Sequence, residues 1–201
     1  MTTVEAGLRA AVSAVAGGVP ATGELPLRWG PFFARLDGGA DDGFTLALEL
    51  IYEGYLVHYR TGRVAPDALT DRRAALLAGD VLYARGLHLI AARGDVVSVS
   101  LLARLMAACS YLRSLEAPFA ADDALWAYTM AALTAARAGL PPAQAAAYFD
   151  ALDEEFSRGA PVDVPVTAAV AAAALGLADP APLEAEFASL LAGETPGVAA
   201  G

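Results

Sequence analysis

The sequence predicts an all-α protein folded as a compact antiparallel helical bundle. About a quarter of the 201 residues are alanine, the residue with the highest helix propensity. The β-branched residues that favour strands are sparse by comparison. Glycine and proline divide the chain into blocks of helical length, and the short connections favour antiparallel neighbours. We therefore expect a single domain over residues 1–192 and a disordered tail over residues 193–201.

Caps and breaks locate the helices in the first half of the chain. A short carboxylate or hydroxyl accepts hydrogen bonds from the free amides of a first turn, so the expected N-caps are Asp41 or Asp42 and then Thr70 or Asp71. The Gly17-Gly18 pair ends the first helix. The predicted elements are residues 4–16, a short turn or helix around Trp29, Phe32 and Phe33, residues 43–60, and residues 71–93.

Breaks at Gly94-Asp95, at Pro118 and over residues 139–142 separate the helices in the second half. Asp122 is expected to cap the helix that follows Pro118. The predicted elements are residues 96–116, a helix from Pro118 to about residue 138, residues 143–157, residues 166–177, and residues 182–192.

Charge and composition exclude several classes of function. The net charge is −10 and no lysine is present, which argues against nucleic acid and against an anionic membrane surface. The first residues lack the basic region of a signal peptide, and the apolar run over residues 164–178 is too short to span a bilayer. We expect a cytoplasmic protein without a membrane span. The single cysteine, Cys109, lies in an apolar run and is expected to be a buried, inert thiol.

The stretch ELIYEGYLVHYR, residues 49–60, is the first that could carry chemistry. Glu49 and Glu53 share a helix face, where two carboxylates could hold a cation or serve acid/base catalysis. A solvated surface pair is the alternative. His58 is expected to be a packed or surface residue. Gly54 inside a helix costs about 1 kcal/mol relative to alanine, which indicates a close approach of another helix.

The stretch DRRAALLAGDVLYARGLHLIAARGD, residues 71–95, is the second that could carry chemistry. Paired arginines at a helix start oppose the helix dipole, so Arg72 and Arg73 could bind a diphosphate or carboxylate, or pair within the chain. The sequence Ala78-Gly79-Asp80 predicts tight packing. It also predicts a buried or half-buried carboxylate on Asp80, for which Arg113 is a candidate partner.

Together the two stretches resemble the trans-isoprenyl diphosphate synthases, all-helical enzymes that build polyprenyl chains. One helix of that family reads E-L-I-H-x-x-S-L-x-H-D-D, a paired arginine follows, and a later helix reads L-A-G-D-x-L. The resemblance covers about residues 43–140. It implies a truncated version of that family's helical fold, because the chain is short for the family by about a C-terminal third. The matching positions are Glu49, Leu50, Ile51, Leu56, Val57 and His58, then Arg72 and Arg73, then Leu77, Ala78, Gly79, Asp80 and Leu82, and Tyr128-Thr129 where the family has Lys-Thr.

The departures from the family pattern concern the metal. Tyr59 and Arg60 stand where the family has metal-binding aspartates, and no D-D-x-x-D motif occurs in the chain. In the family, Mg²⁺ bridges these aspartates to the allylic diphosphate. The resemblance therefore implies no catalytic residue, no metal and no cofactor. Tyr59 and Arg60 become degenerate metal-site positions, and Arg72 and Arg73 the candidate diphosphate-binding residues.

The family includes metal-free small subunits of two-component synthases, for example of heptaprenyl diphosphate synthase, which pair with a catalytic subunit. The resemblance implies that this chain is not an enzyme on its own and acts as a regulatory or structural subunit of a prenyl synthase. Two alternatives stay open: a helical scaffold or homodimeric interaction protein without prenyl chemistry, and a protein that binds an isoprenoid or lipid tail. The tyrosines Tyr52, Tyr55 and Tyr59 would form an interface or tunnel wall, or else the core and rim of a monomer.

Overall fold

The computed structural model is all-α, because every regular element among its described residues is a helix. The structure describes residues 2–20, 25–36, 41–65, 69, 71–137, 139, 168–169, 172 and 178–191. The helices there are α1 (Thr3–Val15), α2 (Trp29–Leu36), α3 (Asp42–Tyr59), α4 (Arg72–Ala91), α5 (Val96–Ser114), α6 (Phe119–Arg137) and α7 (Ala181–Leu191). The predicted all-α helical bundle is confirmed.

The helix bounds lie close to those predicted from caps and breaks. The short element around Trp29 is a full helix, α2. The predicted helix over residues 143–157 and the tail over residues 193–201 lie outside the described residues, as does most of the predicted helix over residues 166–177.

Two of the predicted caps are confirmed and one is wrong. The Asp41 side chain accepts hydrogen bonds from the first amides of α3, at 3.1 and 3.2 Å, and Asp71 accepts one from Ala74 in α4 at 2.9 Å. Asp122 does not precede α6 but lies within its first turn, fully buried. Its Oδ1 accepts a hydrogen bond from Nη2 of Arg113 at 3.0 Å, so an ion pair takes the place of the expected cap.

The chain divides into two compact units, Met1–Val99 and Ser100–Gly201. The expectation of one domain over residues 1–192 stays a prediction. In the second unit α6 is buried along most of its length, and α7 packs against it. Cys109 of α5 is buried and free, as expected. Burial, reinforced by the negative charge of Asp122, raises the pKa of the Cys109 thiol well above its usual value.

In the first unit α3 is the central helix, and α1, α2 and α4 all contact it. Its residues are buried almost continuously from Phe44 to Val57. The contact with α4 is close because both helices present glycine. A Cβ added to Gly54 would lie 2.9 Å from the carbonyl oxygen of Gly79, and one added to Gly86 would lie 2.7 Å from that of Ala47. The close helix approach predicted from Gly54 is confirmed.

Candidate functional site

The acidic pair of α3 lies inside the first unit. Glu49 and Glu53 are one helical turn apart, and both side chains have no exposed surface. The solvated surface pair weighed as an alternative is therefore wrong. A buried carboxylate needs a partner for its charge and for each of its oxygens, and the pair has both.

The guanidinium of Arg63, in the loop after α3, lies between the two carboxylates. Its Nη1 is 2.7 Å from Oε2 of Glu49, and its Nε is 2.8 Å from Oε2 of Glu53. Nη1 also donates to the carbonyl oxygen of Pro26 at 3.0 Å, and the Arg63 Cζ lies 4.7 Å from the centre of the Tyr52 ring. Burial alone would lower the pKa of the guanidinium, but the charges and hydrogen bonds of the two carboxylates outweigh it and raise that pKa above its usual value.

Backbone amides occupy the remaining carboxylate oxygens. Oε1 of Glu49 accepts from the amides of Arg28 and Gly30 at 2.9 and 2.7 Å, at the start of α2. Oε1 of Glu53 accepts from the amides of Arg63 and Val64 at 2.7 and 3.1 Å. Two carboxylates and one guanidinium leave one net negative charge, which these amides stabilise. We call Glu49, Glu53 and Arg63 the acid–arginine cluster.

The acid–arginine cluster joins three segments of the first unit. Glu49 ties α3 to the start of α2, and Glu53 ties it to the loop that returns from its C-terminal end. Sequence reasoning missed Arg63, because a loop arginine ten residues after Glu53 has no helical spacing to link it to that residue. The remaining signal was compositional: a buried acidic pair needs a compensating positive charge, and arginine is the permanently charged basic residue in this lysine-free chain.

The residues of α3 and its C-cap do not fit the Mg²⁺ site of the prenyl synthase family that the sequence resembles. Mg²⁺ requires accessible oxygens in near-octahedral arrangement, whereas the oxygens of Glu49 and Glu53 are already held by Arg63 and by backbone amides. Tyr59 is the last residue of α3 and packs against Tyr55, with ring centres 5.6 Å apart. Arg60 is the exposed C-cap. Among the described residues, no three His, Cys, Asp or Glu side chains converge as metal ligands.

The two candidate diphosphate-binding residues lie exposed at the start of α4. Arg72 has an intramolecular role, since its Nη1 donates to the carbonyl oxygen of His58 at 3.2 Å. That carbonyl belongs to the last turn of α3, where carbonyl oxygens lack helical partners and positive charge is favourable. This contact explains why an arginine is tolerated against the dipole of α4. A diphosphate role for Arg72 and Arg73 stays a prediction.

His58 is packed between the ends of α3 and α4. Its Nε2 lies 2.9 Å from the carbonyl oxygen of Leu76 and 3.4 Å from Oδ1 of Asp80. A Cβ on Gly79 would overlap the imidazole ring, so the tight packing predicted at this position is confirmed. The prediction that the Asp80 carboxylate is buried or half-buried is wrong, because this side chain is 67% exposed. The proposed partner Arg113 pairs with Asp122 instead.

Two of the three tyrosines of α3 belong to the core of the first unit. Tyr52 and Tyr55 are buried and stacked, with ring centres 6.0 Å apart, and Tyr59 is half-buried at the helix end. This arrangement matches the core-and-rim alternative. A cleft of about 280 Å³ lies beside the acid–arginine cluster, below the usual range of about 300–1,000 Å³ for ligand pockets. Its lining residues are Val12, Glu53, Val57, Arg60, Thr61, Gly62, Ala65 and Leu69.

Two helices within the described residues, α4 and α5, are long and apolar enough to cross a membrane. About a third of the apolar window is buried in each. Core helices of soluble proteins meet the same criterion, so it assigns neither helix to a membrane. The expected absence of a membrane span stays a prediction.

Comparison with known proteins does not place the chain in a family. No family model, no curated protein and no solved structure matches it. The resemblance to the trans-isoprenyl diphosphate synthases therefore rests on the residues of the two stretches described above.

Proposed function

We propose that the chain is a non-catalytic, metal-free protein related to the polyprenyl diphosphate synthases, and that it acts as a regulatory or structural subunit of a prenyl synthase. The observation that carries the proposal is the ion pair between Arg63 and Glu49. Through this ion pair, the protein's own guanidinium neutralises acidic residues of α3, the helix that carries the family resemblance.

Metal binding at this helix would be costly in free energy. A divalent cation would have to displace the guanidinium from Glu49 and Glu53 and strip two amide hydrogen bonds from each carboxylate. Breaking a buried charged pair typically costs about 3–5 kcal/mol. Arg60 adds a further positive charge at the end of the same helix, where the family pattern has aspartate. These features favour a role in protein assembly over prenyl transfer.

The test is to mix the purified chain with catalytic polyprenyl diphosphate synthases and to measure the rate and chain length of the prenyl products. We expect no product from the chain alone with Mg²⁺, isopentenyl diphosphate and an allylic diphosphate. In the mixture we expect the rate or the product length to change. The control is the same amount of chain after heat unfolding, which should change neither.

Two outcomes would count against the proposal in different ways. If no synthase changes its rate or product length, the role as a subunit is wrong, although the fold could still be related. If the chain alone transfers prenyl groups, the assignment as non-catalytic is wrong.

A further inference from the structure

The face of α4 that points away from α3 carries an exposed and mostly apolar seam. Its residues recur at alternating spacings of three and four, and all of them are exposed: Ala74, Leu77, Val81, Ala84, His88 and Ala91. Leu77 is 67% exposed and Val81 51% exposed. Exposed apolar residues at such regular spacing are typical of a surface that another helix covers. We call these six residues the α4 seam.

The opposite face of α4 already has its partner. The buried residues of the helix are Ala75, Ala78, Gly79, Leu82, Gly86 and Ile90, and α4 packs closely against α3. The helix is therefore apolar on two faces about 180° apart, since successive residues are 100° apart. One face completes the core of the first unit, and that core does not require the other.

The spacing of the α4 seam is that of a heptad repeat. Leu77 and Ala84 take d positions, and Val81 takes the intervening a position. A β-branched residue at an a position with leucine at a d position favours a coiled coil of two parallel helices. His88, also at a, is a polar residue of the kind that fixes register in such pairs at a cost in stability. Ala74 and Ala84 are small enough for two helices to approach closely.

Charges of opposite sign flank the seam on either side. Asp80 occupies a g position and Arg85 the e position five residues later, and both are exposed. In a parallel helix pair, a g residue faces the e residue five positions later on the other helix. Two-fold symmetry would make this contact twice, so the surface is complementary to itself. Opposite charges at the contact also offset the repulsion between two chains of net charge −10.

We propose that a second copy of this chain docks on the α4 seam, giving a dimer in which the two α4 helices lie side by side and parallel. Leu77 and Val81 pack against the same residues of the second copy, and Asp80 of each copy pairs with Arg85 of the other. This inference does not depend on the proposed relation to prenyl synthases.

The first measurement is the molar mass of the full chain in solution by sedimentation equilibrium. We expect a dimer that Leu77→Glu converts to a monomer with unchanged helical circular dichroism. The matched control is Val96→Glu, at a residue that is 73% exposed outside the seam, and it should leave the dimer intact. A monomeric wild-type chain, or a dimer that survives Leu77→Glu, would overturn the proposal.

Charge reversal tests the register. Asp80→Arg and Arg85→Asp should each raise the dimer dissociation constant about tenfold or more, because each brings like charges together twice. An equimolar mixture of the two variants should recover a dimer, since each variant then faces opposite charge on its partner. Recovery also shows that both variants are folded. A mixture that stays as dissociated as its components would contradict the Asp80–Arg85 pairing.

Cross-linking tests the parallel orientation. Cys109 is the single cysteine and is buried, so Val81→Cys introduces one accessible thiol. In a parallel pair the two thiols lie side by side and should form a disulfide-linked dimer under mild oxidation. Val96→Cys is the control outside the seam and should remain largely unlinked. Equal cross-linking of both variants, or none at residue 81 in a dimeric sample, would refute the parallel arrangement.

Discussion

Nη1 of Arg63 lies 2.7 Å from Oε2 of Glu49, although Glu49 has no exposed surface and Arg63 comes from the loop that follows the same helix. Glu49 and Glu53, the residue pair that most suggested chemistry in the sequence, therefore have a structural role. The acidic pair of α3 organises the first unit, because it fixes the start of α2 and the returning loop against the central helix. Chemistry at these carboxylates would require dismantling that arrangement.

Replacing Arg63 with methionine should destabilise the protein by about 3–5 kcal/mol, because two buried carboxylates would lose their counter-charge. The measurement is the free energy of unfolding in urea. Arg73→Met is the matched control, since Arg73 is exposed, and should change stability by less than about 0.5 kcal/mol.

Adding Glu49→Gln and Glu53→Gln to Arg63→Met should recover part of that loss, since no buried charge would then remain unpaired. If Arg63→Met lowers the free energy of unfolding by no more than Arg73→Met does, the acid–arginine cluster has no structural role.

Gly79→Ala should destabilise the contact between α3 and α4 by about 1–3 kcal/mol, because the added methyl group overlaps His58. This loss opposes the gain of about 1 kcal/mol that alanine offers in a helix. Adding His58→Ala should recover part of the stability. Gly7→Ala is the control, since the new methyl meets the movable end of Leu46. The measurement is the thermal unfolding midpoint of the wild type, the two single glycine variants and the double variant. Equal changes in the midpoint for Gly79→Ala and Gly7→Ala would contradict the tight contact.

The pair of Asp41 with Arg93 predicts a dependence of stability on acid pH. The hydrogen bond from Arg93 holds the pKa of the Asp41 carboxyl below its usual value of 3.8, against the effect of partial burial. A lowered folded-state pKa stabilises the protein above pH 3.8, and this contribution disappears as the pH falls through the folded-state value.

Arg93→Ala should therefore lower the free energy of unfolding by less than about 1 kcal/mol near neutral pH, because the pair is partly exposed. The difference from wild type should shrink below pH 3.8. Asp41→Asn keeps the cap without the charge, so Arg93→Ala in that background should show no such pH dependence. Urea unfolding at several pH values checks this, and a difference that grows in acid would be contrary to the sign expected.

Cys109 should resist thiol reagents in the folded protein. Burial raises its pKa well above the usual value and shields the sulfur, so little reactive thiolate is exposed at pH 8. We expect labelling by an aromatic disulfide reagent to be far slower in buffer than in urea. Labelling at similar rates in both would show that α5 opens readily around Cys109.

The sequence predicted the helices well because their determinants are local. Asp41 and Asp71 cap helices by contacts within three residues, and Gly54 marked a close helix contact through its propensity cost alone. The contacts that define the candidate site are not local. Arg63 reaches Glu49 across fourteen positions, and the Glu49 carboxylate reaches the amide of Gly30 across nineteen. No periodic pattern encodes such pairs.

The errors have the same origin. Asp122 stands near a helix start and so resembled a cap, but Arg113 holds its carboxylate inside the second unit. Asp80 follows two small residues and so was expected to be buried or half-buried. Asp80 follows the buried Gly79 and so points about 100° further around the helix axis, which places it beside the α4 seam.

The most direct test of the acid–arginine cluster is the thermal unfolding midpoint of the wild-type protein with and without Mg²⁺ and inorganic diphosphate. A ligand that binds the native state raises this midpoint through linkage. Because Arg63 and the backbone amides already hold the oxygens of Glu49 and Glu53, we predict no shift that depends on these residues. A rise in the midpoint for wild type that is lost in the Glu53→Gln variant would contradict the account.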